Sequence, residues 1–141
     1  MSVIEVRDYL AKADDFLDGM KLFSGSAEHR TSMALLAVHS AISYGDALWI
    51  GLGQKRTAST NHKNRKSELK DLLSQLKHSD IGGLSHLDKL IGNKTKIAYS
   101  ANILTEKMAV EMVDHAQKFS TWANKVGVAL SIKGWRYDES D

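Results

Sequence analysis

The chain has 141 residues, 43% of them hydrophobic and 26% charged, a balance that belongs to one folded domain and excludes a disordered chain. It contains no cysteine, which removes disulfide frameworks, thiol nucleophiles and cysteine-based zinc sites. Net charge is +2 but unevenly spread: residues 1–20 carry two bases against five acids (net −3), and residues 55–77 carry seven bases against two acids (net +5).

Proline is absent, as suits a chain of helices with short connections, because proline in a helix interior loses a hydrogen bond and clashes with the preceding turn. The first helix is announced by Val6, Tyr9, Leu10, Ala13, Phe16, Leu17 and Met20, which recur at the three-four spacing of one helix face. The segment has no apolar run of signal-peptide length, and no window reaches eighteen uninterrupted apolar residues, so the expectation is a cytoplasmic protein without a membrane span. Ser24-Gly25-Ser26 ends this helix. A second is predicted over Ala27–Ile50, with Met33, Leu36, Ala37, Ser40, Tyr44, Ala47 and Leu48 as its apolar stripe and Gly51-Leu52-Gly53 as its stop. Residues 54–61 read as a basic, polar loop.

Leu69, Leu72, Leu73 and Leu76 define a third helix opening near His62. A fourth is expected to start at a capping box, Ser85 to Asp88, and to run through Leu87, Leu90, Ile91, Ile97, Ala98 and Ala101. Gly92 inside it costs about 1 kcal/mol against alanine, which marks a place for a kink or break. Thr105 caps the last helix, whose core face is Ala109, Met112, Val113, Ala116, Phe119, Ala123 and Val126. Residues 130–141 lose the pattern and read as a tail with Trp135 available to dock. The fold expected is an all-α, up-and-down bundle of four to five amphipathic helices over residues 1–129.

No phosphate-binding loop, dinucleotide glycine fingerprint or His-Glu-x-x-His pair is present. No cofactor or metal is expected, since the six histidines do not pair at ligand spacing on any one helix. Three other groupings carry chemistry. His39, Ser43 and Asp46 lie at i, i+4 and i+7 of the second helix, either a hydrogen-bonded polar column or an acid-base pair, with the column favoured because no nucleophile accompanies them. Lys55, Arg56, Lys63, Arg65 and Lys66 form a basic stretch of the residue types that contact phosphates. Lys94, Lys96 and Tyr99 are a second candidate phosphate site, two cations and a phenol close in sequence, unless the tyrosine faces the core with its hydroxyl bonded to a neighbouring helix.

The order of these elements resembles the HEPN superfamily, in particular its small stand-alone bacterial members. The resemblance rests on Ala37-Val38-His39 through Asp46 in the second helix, on Leu72-Leu73, on Leu90-Ile91 with Lys94 leading into Ala98-Tyr99-Ser100, and on Ala109, Ala116, Phe119 and Trp122-Ala123. It implies a helical bundle, often a homodimer, that is either a non-catalytic binding module or a metal-independent ribonuclease of toxin or defence systems. The catalytic members use Arg-x4-6-His, and Arg56 to His62 matches that spacing once. Thr57 stands where a polar Asn, Asp or His is common, however, and at the family's later site this chain has Lys94 to Tyr99 with no histidine. The expectation is a HEPN-type module binding a nucleotide, an RNA or a protein partner encoded nearby, with an Arg56/His62 ribonuclease as the alternative.

Overall fold

Helices form where the apolar spacing predicts them, and a computed structural model of the chain shows how they pack. It describes residues 2–55, 64–99 and 104–135, with the side chains of Ser2 and Tyr99 outside that description. Among the described residues there are six α-helices and no strand: α1 (Ser2–Leu22), α2 (Arg30–Gly51), α3 (Arg65–Gln75), α4 (Leu84–Gly92), α5 (Lys94–Tyr99) and α6 (Glu106–Ala129). A single 3-10 turn, Ala27–His29, precedes α2 where the spacing predicts continuous α-helix.

The neighbours give the direction of each leg. Along α1 and α2, Gly19 lies beside Leu36, Phe16 beside His39, and the Ala13 carbonyl accepts from the Ser40 hydroxyl at 2.9 Å, so the two run antiparallel. Between α2 and α6 the starts meet, with Arg30 Nη1 donating to the Leu104 carbonyl at 3.4 Å, and the ends meet at Gly51 and Ile132. These two helices therefore run in the same sense. The third leg is made by α3 to α5, with α4 antiparallel to α6: Gly83 touches Trp122, and His86 touches His115. Gly83 is required there, because a Cβ on it would stand 2.2 Å from the indole of Trp122.

The expected one-sided stripe of α2 understates its burial. From Met33 to Ile50 only Leu35, Leu36, His39 and Trp49 are not fully buried. A helix apolar on all sides belongs in the centre of a bundle, and α2 packs on α1, α4, α5 and α6. Ala34, Ala37, Ala41, Gly45 and Ala47 let those neighbours approach. The stretch Ala27–Gly51 is long and apolar enough to cross a bilayer by composition, but 78% of its most apolar window is buried inside the bundle. Leu69, Leu73, Leu87 and Leu90 are wholly buried in the third leg, each contributing about 1.5–3 kcal/mol by its transfer from water.

The fourth helix breaks at the place that Gly92 marks, while its N-cap and the tail differ from expectation. The fourth helix is two helices: α4 closes at Gly92, Asn93 Nδ2 donates to the Lys89 carbonyl at 2.8 Å, and α5 restarts at Lys94. Its N-cap is Gly83 and not Ser85, which sits in the first turn with its hydroxyl directed to the Gly82 carbonyl at 3.3 Å. After α6, Ser131 adopts φ +53 and the Ile132 amide donates to the Gly127 carbonyl at 3.1 Å, a Schellman turn that sends the chain back onto the bundle. Ile132 and Trp135 are consequently core residues, 4% and 2% exposed. Trp135 lies against Gly127, where a Cβ would come within 2.2 Å of its ring, and its Nε1 donates to Asn124 Oδ1 at 3.1 Å. The folded unit thus extends to residue 135 at least, six residues past the boundary read from periodicity.

The same turn closes α2 and α3. Gln54 donates to the Trp49 carbonyl with Gly53 at φ +90, and His78 donates to the Leu73 carbonyl with Lys77 at φ +57. The predicted cap of α6 is present: Thr105 Oγ1 accepts from the Met108 amide at 3.2 Å.

Candidate functional site

The basic stretch reads in sequence as a run of exposed cations, and its arginine departs from that. Arg65 opens α3 and turns inward, 5% exposed, with Nη1 2.9 Å from Asp46 Oδ1 on α2. Asp46 is itself 6% exposed. A buried carboxylate needs a charge partner because desolvation would otherwise penalise its ionised form heavily, and α3 supplies one. Arg65 is thus a structural ion-pair partner rather than a phosphate-facing side chain. Its Cζ also lies 5.0 Å from the ring centre of Trp49, one turn beyond Asp46, and its Nε is 3.7 Å from Glu68 Oε1.

Trp49 holds the other end of the stretch as well. Its Nε1 donates to the Lys55 carbonyl at 3.2 Å. One indole on α2 therefore fastens the chain just before residue 56 and again at Arg65. Lys55 and Lys70 are exposed, and Lys66 is half-exposed with Nζ 3.8 Å from Asp88 Oδ2 on α4. Arg56, His62 and Lys63 lie outside the described residues, as does the side chain of Tyr99.

The polar column on α2 divides between neighbours. Asp46 faces α3 through Arg65. His39 is half-buried beside the Phe16 ring of α1, with centroids 5.5 Å apart, and Ser43 is buried. Burial, reinforced by Lys94 of α5 and Lys12 of α1, holds the His39 imidazole below its ordinary pKa. Two of the three therefore face different helices, Asp46 through an ion pair to α3 and His39 through a ring contact with α1. Two further bonds, which no local spacing signals, also tie α2 to α1. Ser40 reaches Ala13 as described above, and the buried Tyr44 hydroxyl donates to Asp14 Oδ1 at 2.5 Å. On α5, Lys94 is half-buried and Lys96 exposed.

Spacing along the chain gives no hint of a second couple. His86 on α4 and His115 on α6 bring their Nδ1 atoms to 2.9 Å. The available signal is positional: His86 precedes Leu90 by four residues, and His115 falls between Met112 and Phe119, so both stand on the flanks of apolar stripes. Among the described residues no group of three or more His, Asp or Glu side chains is placed to hold a metal ion.

Compared with known proteins, the chain matches no family model, no curated protein and no solved structure.

Proposed function

We propose that the protein is a non-catalytic, HEPN-like helical module that binds phosphate groups of a nucleotide or RNA through the basic stretch between α2 and α3. The observation that supports this most is the double anchorage on Trp49. Lys55 and Arg65, the described residues on either side, are thereby held against the central helix, and residues ordered in advance cost less entropy on binding. Among the described residues of this region, Lys55 before α3 and Lys66 and Lys70 on α3 are accessible cations, whereas Arg65 is engaged by Asp46. A two-fold homodimer belongs to the same reading. The apolar side chains left outside the bundle include Ile4, Leu22, Val110 and Val128, whereas Trp135 is committed to the protein's own core.

The test is binding of a single-stranded RNA between roughly 50 and 200 mM salt, with molecular mass measured by light scattering on the same samples. Lys55→Gln, Lys66→Gln and Lys70→Gln together should weaken binding and flatten its salt dependence, by about 0.7 in the log–log slope for each phosphate that the variant no longer neutralises. Arg65 is left in place because its removal would break the buried ion pair with Asp46. No cleavage is expected. Cleavage that persists in chelator and disappears in His62→Ala would establish the ribonuclease reading instead. Absence of both binding and cleavage would leave a protein partner as the ligand.

A further inference from the structure

His86 and His115 approach across the α4–α6 boundary with ring centroids 5.1 Å apart and planes inclined by 42°. Both rings are half-buried. At an Nδ1–Nδ1 distance of 2.9 Å, two lone pairs repel and two N–H groups collide, so this contact is satisfied by one proton lying between the nitrogens. We propose that His86 and His115 form a proton-operated latch that tightens α4 on α6 near neutral pH and weakens that contact in mild acid.

The order of protonation follows from the geometry. In the neutral couple one ring donates its Nδ1–H and the other accepts, carrying its own hydrogen on Nε2. A first added proton goes to the free Nε2 of the donor ring. It leaves the bridge intact and turns it into a charge-assisted hydrogen bond. The second must land on the accepting Nδ1. It places two N–H groups and two positive charges face to face, so the two steps belong to the pair and separate widely.

The surroundings act on the same steps. Burial is the largest influence on each ring and disfavours its charged form; Lys89 of α4 and Lys118 of α6 add to that. Asp114 favours the charged form of both rings and Glu111 that of His115. Lys118 lies 2.9 Å from Asp114 and draws off part of that carboxylate's help. The net effect holds both imidazoles below the ordinary histidine value of 6.5. A histidine whose folded-state pKa is depressed supports the fold above the unfolded-state value, and that support is lost as pH falls from about 6.5 through the folded-state pKa. The window is therefore mildly acidic. Loosening of α4 would also reach α3, which packs against it and whose Lys66 lies 3.8 Å from Asp88.

The experiment is a side-chain NMR titration of the imidazoles, run beside urea unfolding at several pH values, on the wild type, His86→Gln and His115→Gln, with His39→Gln as control. Both rings of the wild type should report the same two separated steps. In each single variant the remaining histidine of the couple should titrate once, above the wild type's second step. The wild-type unfolding constant should rise several-fold more between pH 7 and 5 than that of either latch variant, while His39→Gln retains the two-step pattern. Independent one-step curves for His86 and His115, with midpoints unchanged by removing the partner, would overturn the latch. So would an acid sensitivity equal in all four proteins.

Discussion

Arg65 meets Asp46 where α3 abuts α2, and His86 meets His115 where α4 abuts α6. Both contacts join a short helix of the third leg to a long helix of the bundle. The first is made of opposite charges more than nine-tenths buried, with an indole alongside. The second is made of two like groups, half-buried, that cohere only while they share a proton. Burial depth decides the difference in character. A deeply buried charge must have a permanent counter-charge, whereas a half-exposed imidazole can lose or gain its proton at modest cost. The α2–α3 junction is thus a fixed post, and the α4–α6 junction responds to pH.

The contrast is broken most severely at the fixed post. Arg65→Met should cost about 3–5 kcal/mol, because it removes the guanidinium that lies 2.9 Å from the buried Asp46 carboxylate. Adding Asp46→Leu to that variant should restore much of the loss, since an apolar pair of similar volume leaves no charge to desolvate. Urea unfolding of the two single variants and the double one measures the coupling. If Arg65→Met is as stable as the wild type, Asp46 does not depend on it. Leu73→Ala supplies the apolar yardstick for the same helix. Leu73 is fully buried, and its truncation should cost about 2–5 kcal/mol, so a loss below that range would mean that α3 contributes little to the core. The smallest effect expected is local. Thr105→Ala removes one side-chain hydrogen bond at the start of α6 and should cost about 1 kcal/mol, with no change in the acid response of the histidine couple. A changed acid response would show that the α6 cap and the latch are coupled.

Much of the fold is legible from periodicity. Val6, Leu10, Ala13, Leu17 and Met20 form the buried face of α1 as their spacing predicts. Phe119, Ala123 and Val126 do the same for α6, and the Thr105 cap is readable because a hydroxyl at that position has one local partner to find. Gly53 is visible as a stop since glycine accepts the left-handed conformation freely. Lys77 and Ser131 end their helices in the same conformation, but nothing about a lysine or a serine announces it. The fold-back after Ser131 escapes the spacing for that reason, and with it the burial of Ile132 and Trp135.

The candidate site is less legible than the fold. Arg65 looks like its neighbours Lys63 and Lys66 in a basic run, and Asp46 looks like a partner for His39 on the same helix. Local spacing ranks both pairings by distance along one helix, and tertiary packing overrules it by presenting α3 to α2. His86 and His115 are 29 residues apart, too far for any motif to link them.

By itself, then, the sequence determined the all-α class, the buried faces of α1 and α6, most helix ends and the concentration of positive charge over residues 55–77, but not the exposure of Leu76, which lies past the end of α3 and is 47% exposed. These depend on interactions within a few residues of one another, which chain order preserves. Only the tertiary structure decided that Arg65 is an inward counter-ion, that Trp49 fastens both ends of the basic stretch, that α2 is enclosed on nearly all sides, and that two histidines share a boundary. Each of those depends on which helix faces are brought together, and a chain carries no record of that in the spacing of residues along any one helix.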